Sequence, residues 1–251
     1  MERILKRWDL AIIIPVLNCL EFTKITLSTI YSKHPYKLII IDNGSTDRTG
    51  KYLDGLEGIE NIKVIRFKEN IGAGPAWNYG IQYAMRKFQS KYFLIANNDI
   101  LLHPEAIDIL IKAIDFTKCI LTSATDISGT VSCPEDVLKM KVPKKTRLTE
   151  APEFSCFMLK TETIQKIGYF DEKFYPAYFE DNDYHYRIRL AGLKAVKTNR
   201  ALYFHYGSRT IKNDEKIHNI SNLGYTANRE YYRQKWGGLP GEEIYKTPFN
   251  R

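Results

Sequence analysis

Four groups of polar residues follow short apolar runs, and each is of a type that could hold a ligand. Pro15 and Asn18 close "LAIIIPV". Asp42, Asn43, Ser45 and Asp47 close "KLIIID". Asn70, Gly72, Gly74 and Asn78 follow "IKVIRF", and Asn97, Asn98 and Asp99 follow "YFLIA". Taken singly, each group reads as turn chemistry, because Asn, Asp and Ser bond to nearby backbone. Four such groups on one edge of a sheet make a polar rim, and open α/β sheets bind ligands at the carboxyl ends of their strands. Asp42 is a carboxylate that can accept the ring N–H of a pyrimidine. Gly72 and Gly74 allow backbone to approach a ligand closely. Asp99 is a hard oxygen donor suited to Mg²⁺ or Mn²⁺, ions that bridge phosphates. No G-x-G-x-x-G follows the first strand and no G-K-[ST] occurs, so neither a dinucleotide fingerprint nor a Walker A loop is present. What remains is a nucleotide held at the second strand end and a metal at the fourth.

The elements that must position these residues alternate. Strands are predicted at Leu10–Val16, Lys37–Asp42, Ile62–Phe67 and Tyr92–Ala96. Helices are predicted at Glu21–Tyr31, Thr49–Leu56, Pro75–Phe88 and Pro104–Phe116, the last with Pro104 and Glu105 in its first turn. This spacing implies an α/β fold with a mostly parallel central sheet, right-handed crossovers and flanking helices. The second half reads as short β-like pieces from Ile120 to Arg147, a strand at Glu153–Lys160, and a short helix with Thr161 as N-cap and Gly168 as its stop. A helix at Glu180–Ala191, a last strand at Leu193–Thr198 and a terminal helix at Asn222–Trp236 follow. No repeat or linker divides the chain, so a single domain over residues 1–251 is expected.

With 251 residues, 44% of them hydrophobic, the chain can bury a sizeable core. No apolar run is long enough for a transmembrane helix, and the amino-terminal run lacks a small-residue cleavage site. Four widely spaced cysteines form no C-x-x-C pair, which suggests thiols in a reducing compartment and argues against zinc. The formal charge of +8 favours anionic partners without choosing among nucleotides, nucleic acid and an acidic membrane face. Basic residues cluster from Lys139 to Arg147, where a solvated loop is the ordinary reading. A cytoplasmic location, with a peripheral position at a membrane allowed, is the expectation.

In this order, "IIIPVLN", "IIIDNGSTD", "ENIGAGPAWNYGI", "IANNDILLHPEAI" and "YFEDNDYHYRIRLAG" resemble the family-2 glycosyltransferases of GT-A fold, with most likeness to a rhamnosyltransferase-like branch. The resemblance runs from about Leu10 to about Tyr206. It implies a UDP- or dTDP-sugar donor, an inverting hexosyl or pentosyl transfer, and a divalent metal, Mg²⁺ or Mn²⁺. It also implies a nucleotide-sugar-binding half over 1–116, and an acceptor-binding half with the C-terminal helix over 117–251. Asp42 matches the base-contacting aspartate, and Asp47 belongs to the same turn. Asn97-Asn98-Asp99 stands where the family has its D-x-D metal motif, with Asn in place of the first aspartate. His205 matches a histidine that completes the metal site in some members. Glu180 and Asp181 match the E-D pair, whose aspartate is the catalytic base. An acidic helix start would by itself look the same. Asp183, Tyr178 and Trp77 are candidates for acceptor contacts, since aromatic faces stack on sugars and bases alike, although Trp77 has core as its simpler reading.

Three functions compete at this point. The first is transfer of a sugar to a saccharide or glycan. A second keeps the chemistry and places the sugar on hydroxymethylated bases in DNA, which the net charge allows. The third is a catalytically silent nucleotide-sugar-binding module, suggested by Asn97 and opposed by intact Asp99 and Asp181.

Overall fold

A computed structural model describes residues 6–207 and 215–251. Its strands and helices run β1 (Leu10–Val16), α1 (Leu20–Ser28), β2 (Tyr36–Asp42), α2 (Thr49–Asp54), β3 (Ile62–Arg66), α3 (Ala73–Phe88), β4 (Tyr92–Ala96), β5 (Ile100–Leu102) and α4 (Ala106–Phe116). They continue as β6 (Leu121–Asp126), β7 (Leu148–Thr149), β8 (Cys156–Lys160), α5 (Thr161–Ile167), α6 (Glu180–Leu190), β9 (Ala195–His205) and α7 (Glu215–Trp236). All nine strands belong to one sheet, in the order β3-β2-β1-β4-β8-β6-β9-β5, with β7 beside β9.

The apolar pattern explains the layers. In β1, Leu10, Ile12, Ile14 and Val16 face one way and Ala11 and Ile13 the other, as the two-residue period of a strand requires. The first set packs on α1, α2 and α4 through Leu27, Leu53, Ile107, Leu110 and Ile114. The second packs on α3, α5 and α6 through Ala76, Trp77, Ile81, Ile164, Tyr184 and Ile188. Because both faces are covered, the strand reads as a continuous apolar run. Each of these fully buried aliphatic side chains contributes roughly 1.5–3 kcal/mol relative to exposure. A smaller aromatic cluster, Phe174, Phe179, Tyr186, Tyr232 and Trp236, joins α6 to α7.

The sheet is mixed, not mostly parallel. β1–β2, β2–β3, β1–β4 and β6–β9 are parallel, whereas β4–β8, β6–β8, β5–β9 and β7–β9 are antiparallel. The parallel half obeys the alternation in the sequence. The other half arises because β8 inserts between β4 and β6, antiparallel to both. The last strand runs seven residues further than expected, to His205, and the three-residue β5 was not expected at all. Thr161 is the first residue of α5, not its cap: its hydroxyl donates to Ser90 O, and Lys160 takes the capping position. No helix among the described residues is long and apolar enough to cross a membrane. None of the four cysteines is in a disulfide.

Candidate active site

A cleft of about 270 Å³ opens at the carboxyl end of β4, between Asn97, Asn98 and Asp99 on one side and Glu180 and Asp181 on the other. Asp99 and His205 meet in it. β5 starts directly after Asp99, and Ile100 pairs with His205 in antiparallel register, so the two side chains arrive together although 106 residues separate them. His205 Nε2 lies 3.1 Å from Asp99 Oδ1. Backbone bonds fix both residues: Tyr206 N–H donates to Asp99 O, and His205 N–H donates to Asp126 Oδ1. One carboxylate and one imidazole suit Mn²⁺, and Mg²⁺ less well. No third His, Cys, Asp or Glu completes a cluster among the described residues. The pair therefore fits an ion that takes its remaining ligands from diphosphate and water. The Asn98 amide nitrogen donates to Thr23 Oγ1 at 3.0 Å, which fixes that side chain beside the pair.

Glu180 and Asp181 open α6, after Tyr178 and Phe179 with φ of 80° and 73°. Bulky residues in the left-handed region are strained, and such strain persists only where surrounding structure holds it. Here α7 holds it. The buried Asn228 amide donates to Ala177 O at 2.9 Å and Tyr178 O at 3.1 Å. One turn earlier, Gly224 lies so close that a Cβ would stand 2.4 Å from Pro176 Cδ. Tyr225 packs against both Tyr178 and Phe179. Burial pushes the Glu180 carboxyl well above its ordinary range, and the neighbouring Asp181 adds to the shift. Glu180 Oε2 has no hydrogen-bond partner among the described residues. Burial also raises Asp181, against two backbone N–H groups that favour its charged form. A partly exposed aspartate with a raised pKa, in a cleft, is suited to taking a proton near neutral pH.

The nucleotide-side residues form one stitched rim. Asn18 N–H donates to Ser45 Oγ at 2.8 Å, and Asn18 Oδ1 accepts Thr46 N–H at 2.7 Å. Asn43 Nδ2 donates to Asn70 Oδ1, and Asn43 Oδ1 accepts Ile71 N–H. Gly72 has φ 96°, and a Cβ there would meet the Tyr175 ring at 3.1 Å, so its close approach is to the protein's own loop. Asp47 accepts Thr49 N–H at the start of α2. Asp42 is buried at the end of β2: its Oδ1 accepts Ser45 N–H at 2.9 Å and its Oδ2 pairs with Arg66 at 3.1 Å. A base N–H would share a carboxylate that is already engaged. Pro15 lies within β1, opposite Ile41, and Gly74 lies inside α3 in ordinary contact with Phe170 and Glu180.

Several candidate ligand contacts are engaged within the protein itself. Asn78 is buried, with its amide donating to Phe170 O and Glu172 Oε1 while Phe170 N–H donates to its oxygen, so it clamps α3 to the segment before α6 and is not free to hold a nucleotide. Asp183 is fully buried and bonds Arg187, Trp236 Nε1 and Lys235, which withdraws it from acceptor contact. Trp77 sits edge-on to Phe157 and Phe170 and is only 4% exposed, so it forms the floor of the cleft and not a stacking platform. No residue from Lys139 to Arg147 lines this cleft. The end of that segment lies beside the middle of β9, where Asn199 bonds Lys145 O and Arg147 N–H, and Met140 packs with Leu202 and Phe204. Asn228, Gly224 and Asp126 went unnoticed in the sequence: polar and small residues on a long helix look like a solvated face, an aspartate at a strand end looks like an ordinary turn, and only their tertiary contacts mark them.

A two-faced mixed sheet with a polar rim at its parallel strand ends, and an acidic pair facing it from the second half, is the GT-A architecture. Residues 11–154, more than half of the chain, match the family described as Glycosyl transferase family 2, and the chain belongs to that family. The match is to the family as a whole and does not choose a branch within it. Among solved structures, S. aureus TarS shares 16% identity at a TM-score of 0.54, the alignment covering 86% of this chain and 64% of that one. TarS in complex with UDP gives 17% identity over the same shares, also at 0.54. The mannosyltransferase PcManGT from Pyrobaculum calidifontis, in complex with GDP-Man and Mn²⁺, gives 15% identity and a TM-score of 0.60, covering 84% of this chain and 63% of that one. The chain thus spans a little under two thirds of the length of these neighbours. No curated protein matches it by sequence.

Proposed function

We propose that residues 1–251 are a single glycosyltransferase domain that moves a sugar, with inversion, from a UDP- or dTDP-sugar to a hydroxyl of a saccharide or glycan. The observation that carries the reading is the meeting of Asp99 and His205 with Glu180 and Asp181 across one cleft. The acceptor oxygen bonds to the anomeric carbon as the bond from that carbon to the diphosphate oxygen breaks. Asp181 takes the hydroxyl proton, and the nucleoside diphosphate leaves with the electron pair. Such a transition state has oxocarbenium character, as in glycoside hydrolysis. Inversion follows from a single displacement in which Asp181 serves as the base. Burial and the neighbouring Asp181 push the Glu180 carboxyl upward, which favours its neutral form in the wall of the cleft and leaves the charge of the pair to Asp181. Asp99 and His205 would hold Mn²⁺ or Mg²⁺, which when bound neutralises charge on the diphosphate.

A neighbour of this fold is known with UDP, and another with GDP-Man and Mn²⁺. The choice of nucleotide therefore rests on Asp42. The test is calorimetry with UDP, dTDP, GDP and ADP in Mn²⁺, followed by a screen of the corresponding sugars for release of free diphosphate nucleoside. Equal affinity for all four nucleotides would remove the pyrimidine assignment, and no release from any sugar would remove the enzyme reading. A silent binding module is disfavoured by the pairing of Asp99 with His205 and by Asp181 lining the same cleft. The DNA reading rested on charge, and the basic segment lies off the cleft. A cytoplasmic location stays part of the proposal.

A further inference from the structure

We propose that a second cleft, on the far side of Asp181, is an acceptor subsite for a hydroxyl compound that carries an oxyanion, with Arg229 as the anion contact. This rests on the glycosyltransferase reading and deepens it. The cleft encloses about 430 Å³, and among its walls are Asp181, Tyr178, Tyr225, Arg229, Pro240 and Glu242. Asp181 and Tyr178 also border the cleft at the β4 end. A hydroxyl in the second cleft thus has access to the base, while Asp99 and His205 line only the first.

Arg229 is exposed, and its guanidinium has no hydrogen bond or ion pair among the described residues. It follows Asn228, whose two bonds to the Ala177 and Tyr178 carbonyls fix this turn of α7 against the loop that carries the base. A guanidinium presents paired donors that match phosphate or carboxylate. Tyr178 and Tyr225 meet edge to face at 5.4 Å and offer ring faces and hydroxyls to a sugar or polyol. Asp181 and Glu242 are the acidic groups of the cleft, so it is not a uniformly positive groove for a polyanion. It holds one cation at one place, carboxylates that accept hydroxyl donors at others, and aromatic faces between.

The test is calorimetry on the full chain saturated with UDP, and again without nucleotide, using glucose, glucuronate and glucose 6-phosphate as probes. Both oxyanion probes are expected to bind at least about tenfold more tightly than glucose, the scale of one charge-assisted contact. The comparison between them tells carboxylate from phosphate. Arg229→Ala should abolish the preference, Arg229→Lys should keep part of it, and UDP affinity should stay within about twofold, since Arg229 is on the surface of α7. Lys145→Ala, which removes a charge from the basic segment, should leave the preference intact. Equal binding of glucose and the anions, a preference that survives Arg229→Ala, or one lost equally in Lys145→Ala would overturn the proposal. Failure of UDP, dTDP, GDP and ADP alike to bind the wild type would instead count against the glycosyltransferase reading, while the probes without nucleotide still decide the role of Arg229.

Discussion

Asp181 and Glu180 share an environment but not a task. Asp181→Asn keeps the side chain's size and removes the proton acceptor. Transfer is expected to fall by roughly two to four orders of magnitude with nucleotide binding retained. Because burial raises Asp181, the acid limb of kcat/KM should lie above the ordinary aspartate range, and a pH–rate profile reads this directly. Glu180 has the same direction of shift, and its sign for stability is definite. The folded state keeps the proton after the unfolded chain has released it, so stability is fully present below the ordinary glutamate pKa and is lost as pH rises through the folded value. Glu180→Gln should therefore raise the melting temperature over wild type at neutral and higher pH, with the gap closing below about pH 4. Melting curves across pH that stay parallel would show that Glu180 is not held protonated. Asp99→Ala should abolish Mn²⁺ binding by titration and leave the fold intact, because the residue lies at a strand end. A variant with wild-type turnover in chelator would exclude the metal role.

At the scale of elements, α7 braces the loop that carries the base. Asn228→Ala strands two carbonyls, at a cost of roughly 1–3 kcal/mol each when buried, and releases Tyr178 and Phe179 from a backbone conformation they do not favour. The expected signature is a kcat loss larger than any change in nucleotide affinity, measured by steady-state kinetics beside calorimetry. This brace was illegible in the sequence, since its partners are some fifty residues apart. The parallel half was legible because strands covered on both faces are continuous β-branched runs. β5 was not: three residues before a proline carry no period. β9 was cut short because Asn199 and Arg200 interrupt the apolar pattern, while in the sheet β9 continues beside β6 and β5. Of the site, Asp99, His205, Glu180 and Asp181 stand in legible motifs and line one cleft, whereas the internal bonding of Asn78 and Asp183 was not legible, because a polar residue satisfied by distant backbone or by a buried ion pair looks the same in sequence as one awaiting a ligand.

Over the whole molecule, the C-terminal helix is tied to α6 and to the segment before it through charge as well as apolar contact. Lys235 lies almost wholly buried between Asp171 and Asp183, at 2.7 and 2.6 Å, and Trp236 donates to Asp183 from the same helix end. Removing one partner of such a buried pair leaves an uncompensated charge, so Lys235→Ala should destabilise the fold by about 3–5 kcal/mol, measured by denaturant unfolding. The register of β5 against β9 has a consequence in time. The residue that ends the polar triplet at β4 and the histidine that meets it are made more than a hundred positions apart, and the base and its brace come between and after them. A nascent chain can finish its parallel strands early, but such long-range contacts close slowly and late. The two sides of the cleft are complete only once the last strand and helix have docked, so an unfinished or clipped chain would hold a nucleotide rim with nothing across from it to do the transfer.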